Sequence, residues 1–215
     1  MNVKQFQGAI FDLDGTLLDS NGVWEQIDKD FLGRRGIPVP EDYVKTIAPL
    51  GFHAAAEYTA RRFNLSEAPE QLMDEWNEMA RDAYHNRIAL KPGARKYLEF
   101  LRKNQVRMAV ATSSYEELFL PALERHGIRD WFDAVVTVSQ VNRGKGFPDI
   151  YWRAAKLLQI SPKQCVVFED IWEGLKGAKD GGFTTVAVYD LYCREEEEKM
   201  RQTADHYIRD FWELL

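Results

Sequence analysis

The alternation of short apolar runs with helix-like segments downstream of residue 90 is the feature that most constrains the fold. Each run has the length of a strand, and each segment between two runs carries apolar residues at helical spacing. Strands that alternate with helices are typical of a parallel sheet covered by helices on both faces. The predicted strands are VRMAVATSS (106–114), DAVVTV (133–138), QCVVFED (164–170) and FTTVAVYD (183–190), and the opening FDLD run (11–14) adds a fifth.

Four segments are predicted to be the helices of this sheet: GARKYLEFLRKN, YEELFLPALERHG, DIYWRAAKLLQI and IWEGLKGAKDGG. Ser114 with Glu117, and Asp170 with Glu173, have the spacing of a capping box. This spacing predicts that the second helix begins at Ser114, and it leaves a capping role open for Asp170.

Residues 19–90 interrupt the alternation, because they contain helix-like segments and no convincing strand. One of these segments, VWEQIDKDFLGRRG, shows a clear apolar stripe at helical spacing. We therefore expect an α/β core domain made of residues 1–18 and 91–215, with a helical domain of residues 19–90 inserted after the first strand.

The composition limits the classes of function. A formal charge of −6 argues against nucleic-acid binding, because contact with a phosphate backbone needs a basic face. No apolar stretch can span a bilayer, the first residues lack the features of a signal peptide, and Cys165 and Cys193 make no disulfide framework. We therefore expect a cytoplasmic protein with no nucleic-acid or membrane partner. We also expect a monomer or weak homodimer, although none of these features determines the oligomeric state.

Asp12 and Asp14 follow the first apolar run, and side chains that alternate with period two place both carboxylates on one side of the chain. A turn that uses Asp and Gly for its backbone geometry is the structural alternative. A calcium loop of the EF-hand type is excluded, because Leu17 and Val23 stand where glycine and glutamate are required.

Three more groups of polar residues follow later strands: Thr112-Ser113-Ser114, Lys145 and Glu169-Asp170. Taken singly, each has an ordinary structural interpretation as a helix cap, a surface lysine or a capping carboxylate. Together they fall at the edge of the sheet where the strands end, and ligands bind at that edge in α/β sheets. Carboxylates gathered there would repel one another, so we expect a divalent cation, and oxygen ligands suit Mg²⁺.

The four groups resemble, in order and approximate spacing, the four motifs of the haloacid dehalogenase superfamily. The matching stretches are FDLDGTLLDS, ATSS, the lysine of GKGFPDIY, and VFED with its trailing GLKGAKDGG. The resemblance covers the whole chain, and the insertion is similar to the cap of the branch that contains phosphoglycolate phosphatase and β-phosphoglucomutase. It implies a Rossmann-like parallel sheet with a helical cap, and a Mg²⁺-dependent phosphatase that acts on a small phosphorylated metabolite.

The resemblance also implies a role for each motif residue. Asp12 would be the nucleophile that forms an aspartyl-phosphate, and Asp14 would serve as the acid and the base. The phosphate-binding residues would be Thr112, Ser113 and Lys145, and the Mg²⁺ ligands would be Asp12, Asp14 through its backbone carbonyl, and Asp170 with or without Glu169.

Two other functions stay open beside the phosphatase. A β-phosphoglucomutase-like sugar phosphomutase is the nearer alternative, although Trp24 stands where the mutase pattern has a histidine. An inactive phosphate-binding or interaction protein on the same fold is the other. Dehalogenases and phosphonatases of the superfamily lack the second aspartate, so Asp14 argues against both.

Substrate specificity is expected to come from the cap. The candidate specificity residues are His53, in the APLGFH loop (48–53), and Trp24, near the first hinge. Each has a structural alternative, since His53 can be a helix-terminal residue without a ligand and Trp24 can belong to the core of the cap.

Overall fold

The structure is a computed structural model that describes residues 6–47, 50 and 52–215. The strands are β1 (Gly8–Phe11), β2 (Arg107–Thr112), β3 (Ala134–Thr137), β4 (Cys165–Glu169), β5 (Thr184–Val188) and β6 (His206–Ile208). They form one parallel sheet in the order β3-β2-β1-β4-β5-β6. The predicted α/β fold with a parallel sheet is thereby confirmed.

Helices make up most of the remaining regular structure. They are α1 (Gly22–Arg34), α2 (Tyr43–Ile47), α3 (Phe52–Phe63), α4 (Pro69–Asn86), α5 (Ala94–Lys103), α6 (Glu116–Arg125), α7 (Asp149–Leu158), α8 (Trp172–Asp180) and α9 (Glu197–Thr203). None of these described helices is long and apolar enough to cross a bilayer. The cytoplasmic location and the oligomeric state stay predictions.

The chain divides into two compact units. One unit runs from the N-terminus to Asn21 and resumes over Ile88–Leu215, and it contains the sheet with α5 to α9. The other, Gly22–Arg87, contains α1 to α4 and is called the helical unit below. The helical unit lies inside the predicted limits of residues 19–90, and its role as a cap stays a prediction.

Strand β1 lies in the middle of the sheet, between β2 and β4, and is fully buried. Ile10 packs on one face, in an apolar cluster that includes Tyr151 of α7. Phe11 packs on the opposite face and stacks on Phe168 of β4, with ring centroids 4.6 Å apart. Tyr97 of α5 meets Phe168 edge-on at 5.7 Å. Because both faces of β1 are covered, all of its residues are buried, and Asp12 follows the strand at the edge of the sheet.

Four local features of the structure differ from what the sequence predicts. Strand β6 and helix α2 are not predicted by the sequence pattern, because they have three and five residues and lack a long apolar run. Neither proposed capping box forms. Helix α6 has Tyr115 at its N-cap and α8 has Ile171, and neither residue caps its helix through a side chain. Asp170 instead accepts hydrogen bonds from other residues, described below.

The helical unit has an aromatic core of its own. Phe31 of α1 meets Trp76 of α4 edge-on, with centroids 5.5 Å apart, and Phe52 of α3 lies 5.6 Å from Trp76. One carboxylate, that of Asp28, is buried in this unit at 7% exposure. No described residue forms a hydrogen bond or ion pair with it. Burial, and secondarily Glu25, raise the pKa of Asp28 to about 7.

We expect Asp28 to make the protein less stable as the pH rises from about 4 to about 7. The folded state holds the Asp28 proton over this interval while the unfolded state has lost it, so the free energy of unfolding falls with pH. Asp28→Asn should be more stable than the parent by about 1 kcal/mol at pH 8, a figure discounted for partial solvent screening. Urea unfolding at pH 5 and pH 8 measures the difference.

Asp74→Asn is the matched control, because Asp74 is an exposed carboxylate of α4. It should change the free energy of unfolding by less than about 0.5 kcal/mol at either pH. A less stable Asp28→Asn protein at pH 8 would contradict the prediction, since that result would mean that the Asp28 carboxylate has a stabilising partner.

Candidate active site

Three carboxylates converge where β1 and β4 end. Phe11 pairs with Phe168 across the two strands, so Asp12, which follows β1, lies beside Glu169, the last residue of β4. Asp170 comes next in the chain. Each of the three residues offers a carboxylate oxygen within 4.8 Å of the others, and all three are buried. The carboxylates of Asp12, Glu169 and Asp170, which the sequence placed at one edge of the sheet, therefore lie together in the structure.

Lys145 lies between two of these carboxylates. Its ammonium group donates hydrogen bonds to Asp12 Oδ1 and, over 2.7 Å, to Glu169 Oε1. The residue is 7% exposed, so the surface-lysine interpretation is wrong. Helix α8 lies directly against the loop that carries this lysine, because a Cβ on Gly177 would stand 2.0 Å from the Lys145 carbonyl oxygen. Glycine at position 177 therefore leaves room for the loop that carries Lys145.

Glu169 is held in a fully buried position. Tyr151 of α7 donates a hydrogen bond of 2.8 Å to Glu169 Oε1, the oxygen that Lys145 also contacts. The other oxygen, Oε2, is buried and has no hydrogen-bond partner within the described residues. A Cβ on Gly174 would come within 2.5 Å of Glu169 Cδ. The carboxylate thus fills space that only glycine at position 174 leaves open.

Asp170 accepts hydrogen bonds from residues of the segment that follows β1. Thr16 Oγ1 donates to Asp170 Oδ1 over 3.2 Å, and Asn21 Nδ2 donates to Oδ2 over 2.8 Å. Cys193 Sγ lies 3.5 Å from Oδ2 and donates weakly. Gly15 has φ of 80°, and a Cβ there would stand 2.1 Å from Asp170 Oδ2, so this turn requires glycine.

Burial raises the pKa of every carboxylate in the cluster. It raises the pKa of Glu169 to about 8, although Lys145 opposes the shift, and that of Asp170 to about 7, with Asp12 adding to the effect. The pKa of Asp12 is also raised by burial, against the attraction of Lys145. Burial alone would lower the pKa of Lys145, but Asp12 and Glu169 hold it above its ordinary value. One ammonium group therefore faces more negative charge than it can balance.

The cluster fits a hard divalent cation. Asp12, Glu169 and Asp170 supply only oxygen ligands, which Mg²⁺ prefers, and Glu169 Oε2 is a buried acceptor that a cation would satisfy. A cation would also offset the repulsion that raises the pKa values. The part of the site that the sequence assigned to metal binding is therefore chemically suited to it.

The remaining predicted catalytic and phosphate-binding residues are Thr112, Ser113 and Asp14, which lie at or just after the same ends of β1 and β2. Thr112 ends β2, the neighbour of β1, and is fully buried. Its Oγ1 accepts a hydrogen bond from the Ser114 backbone N–H over 3.0 Å, which leaves the hydroxyl proton for another acceptor. Ser113 is exposed. Asp14 is half-buried, and its negative charge contributes to the raised pKa of Asp12.

The candidate specificity residues belong to the helical unit. Trp24 of α1 is 42% exposed and meets Phe52 edge-on at 5.8 Å, so it is not buried in the core. His53 is exposed at the start of α3, and its Nε2 lies 3.3 Å from Glu70 Oε1. Within the predicted APLGFH loop, Ala48, Pro49 and Gly51 lie outside the described residues. The specificity role of both side chains stays a prediction.

Several residues of the site were not singled out from the sequence. Three of them contact the carboxylates: Tyr151, Asn21 and Gly174. In the sequence, each has an ordinary structural explanation, as a core aromatic, a turn residue and a helix glycine respectively. A usable signal existed in the paired glycines of GLKGAKDGG, because glycine inside a helix costs about 1 kcal/mol and so indicates a close approach.

Gly174→Ala is expected to destabilise the protein by about 1–3 kcal/mol, because the new methyl group would overlap the carboxylate of Glu169, which is enclosed on all sides. Chemical denaturation measures the change. The control is Gly33→Ala in α1, where a Cβ meets nothing within 4 Å, and this variant should gain about 0.5–1 kcal/mol from helix propensity. Equal effects of the two substitutions would contradict the close contact at Gly174.

Comparison with known proteins agrees with this geometry. The sequence profile of the haloacid dehalogenase-like hydrolases matches residues 9–188. The chain belongs to this family. The match spans every motif described above, from Asp12 to Asp170. The family, the fold and the enzyme class predicted from the sequence, a hydrolase of phosphate monoesters, are thereby confirmed.

Relatives and solved structures of haloacid dehalogenase-like hydrolases cover most of the chain. A phosphorylated carbohydrates phosphatase of Thermotoga maritima is 27% identical over 180 residues, covering 84% of this chain and 83% of its own. A fructose-1-phosphate phosphatase of Escherichia coli is 28% identical over 190 residues, covering 86% and 97%. A structure from Thermotoga maritima, assigned as a beta-phosphoglucomutase, superposes with a TM-score of 0.84 at 25% identity, covering 94% of each chain.

Proposed function

We propose that this protein is a Mg²⁺-dependent phosphatase that hydrolyses a small sugar phosphate or similar metabolite through an aspartyl-phosphate. The observation that carries the proposal is the position of Asp12, buried at the end of β1 beside Lys145, Glu169 and Asp170. A carboxylate held there beside a cation can act as a nucleophile. The names of two relatives, phosphatases of phosphorylated carbohydrates and of fructose 1-phosphate, support the substrate class.

The reaction would proceed in two displacements. In the first, an Asp12 carboxylate oxygen attacks phosphorus, the bond from phosphorus to the ester oxygen breaks, and Asp14 gives its proton to that oxygen. In the second, Asp14 takes a proton from a water molecule as the water attacks phosphorus. The bond from phosphorus to Asp12 then breaks, which releases inorganic phosphate and restores both carboxyl groups.

Charge compensation would provide much of the rate enhancement, as in other phosphoryl transfers. Lys145 and the hydroxyl proton of Thr112 would contact the phosphoryl oxygens, and Ser113 would assist from the exposed side. Mg²⁺ would be held by Asp12, Asp170, Glu169 and the backbone carbonyl of Asp14, and it would supply positive charge beside the reacting phosphoryl group. Trp24 and His53 are proposed to select the substrate.

A sugar phosphomutase is the second candidate, supported by the likeness to the Thermotoga maritima structure assigned as a beta-phosphoglucomutase. The two functions differ only in what accepts the phosphoryl group from Asp12, either water or a second hydroxyl of a sugar. Trp24, in place of the histidine of the mutase pattern, favours water.

A panel of phosphorylated metabolites, including both glucose phosphates, tests the proposal. Each compound is assayed with Mg²⁺ and with EDTA, for release of inorganic phosphate and for isomer interconversion. We expect phosphate release from sugar phosphates with Mg²⁺ and none with EDTA. Interconversion without release would establish the mutase, and inactivity on every compound, including an aryl phosphate, would favour the inactive phosphate-binding protein.

A further inference from the structure

Ser20 is a buried hydroxyl that contacts the proposed acid and base. Its side chain is 1% exposed, and its Oγ donates to Asp14 Oδ1 over 2.6 Å. The carbonyl oxygen of Leu18 is 3.5 Å from the same Oγ. A hydroxyl has one proton to donate, and the much shorter distance assigns that proton to Asp14.

Backbone hydrogen bonds hold the segment that carries Ser20. Leu18 donates its N–H to the Leu13 carbonyl and accepts from the Gly15 N–H, each over 2.8 Å. On the other side, the Asp19 N–H donates to the Ala89 carbonyl over 2.9 Å. The segment from β1 to Ser20 is thus bonded to itself and to the chain that returns at residue 89, and these bonds hold the Ser20 backbone beside Asp14.

We propose that Ser20 is a positioning residue that orients Asp14 for proton transfer to the leaving group. This inference rests on the proposed function, in which Asp14 is the acid. Oδ1 accepts from Ser20, so the proton that Asp14 delivers is carried by Oδ2, and the Ser20 contact is one of those that set the direction of that oxygen.

The test compares two substrates that need the acid to different degrees. A sugar phosphate loses an alkoxide that must be protonated, whereas p-nitrophenyl phosphate loses a phenolate that departs without a proton. For Ser20→Ala, we expect kcat on the sugar phosphate to fall about 10–100-fold, with KM unchanged. For p-nitrophenyl phosphate, kcat/KM should stay within about threefold of the parent.

The decisive number is the ratio of kcat/KM for the sugar phosphate to kcat/KM for p-nitrophenyl phosphate, measured in one preparation. This ratio does not depend on the fraction of the protein that is folded. Ser20→Thr should restore the ratio, since threonine keeps the hydroxyl. Ser161→Ala, which removes an exposed hydroxyl of the same unit, should leave both rates unchanged. An equal loss on both substrates, or no loss on either, would overturn the role of Ser20.

These failures are distinguishable from failure of the proposed function. If the parent protein hydrolyses neither substrate, then the proposed function fails. If the parent hydrolyses both and Ser20→Ala retains the ratio of the parent, then only the positioning role fails.

Discussion

Asp12→Asn is expected to reduce kcat for every phosphate monoester by roughly 10⁴-fold or more, because an amide oxygen cannot replace the carboxylate as the nucleophile. Asparagine has nearly the same shape, so Lys145 keeps Glu169 as a partner and the site keeps its packing. Removal of one of three crowded carboxylates also relieves repulsion, and the metal-free variant should be at least as stable as the parent. Phosphate release and thermal unfolding measure the two effects.

Asp180→Asn is the matched control for this variant. Asp180 is an exposed carboxylate of α8 that pairs with Lys176, so its replacement should leave kcat and stability nearly unchanged. If Asp12→Asn retained more than about a tenth of the parent activity, Asp12 would not be the nucleophile. A loss of activity without loss of stability would locate the defect in the chemical step.

Lys145→Met is expected to destabilise the metal-free protein by about 3–5 kcal/mol, because it leaves buried carboxylates without their counter-ion. It should also lower kcat/KM by roughly 10²–10³, through loss of charge that stabilises the transferring phosphoryl group. If Asp12 and Glu169 hold the cation as proposed, Lys145 shares these ligands with it, and Mg²⁺ should raise the melting temperature of the variant more than that of the parent. Thermal unfolding with Mg²⁺ and with EDTA measures this difference.

Lys96→Met provides the comparison, because Lys96 is exposed and pairs with Glu99 on the surface of α5. Its loss should cost no more than about 1 kcal/mol and should not depend on Mg²⁺. Identical responses of the parent and Lys145→Met to Mg²⁺ would mean that the lysine and the cation do not share ligands.

The sheet was predictable because its strands are short, apolar and separated by helices of clear periodicity. The run VRMAVATSS predicted β2, and the run QCVVFED predicted β4. In both cases the polar residues that close the run lie at the end of the strand. The elements that were missed have no such pattern. Strand β6 consists of His206, Tyr207 and Ile208, and only the last of these is buried. Its pairing with β5 is decided by tertiary contacts that a local pattern does not contain.

The capping predictions failed for a different reason. A capping box is a spacing of two polar residues, and the same polar residues can be used by a site. Asp170 accepts from Thr16 and Asn21, which lie about 150 positions earlier in the chain, and it does not form the capping box with Glu173. Tyr151 and Asn21 were missed for the same reason, since each acts on a carboxylate that only the fold brings near.

The central position of β1 also has a consequence for how the chain acquires its structure. Strand β1 is synthesised before both of its partners, which are Arg107–Val110 on one side and Cys165–Phe168 on the other. The helical unit is continuous in sequence, so it can form its internal contacts before β2 and β4 have been synthesised. Non-local pairing of this kind is slow, because the chain between the strands must first be ordered. A nascent or truncated chain that ends before β4 therefore exposes one unpaired edge of the strand that leads to Asp12, and such edges promote aggregation.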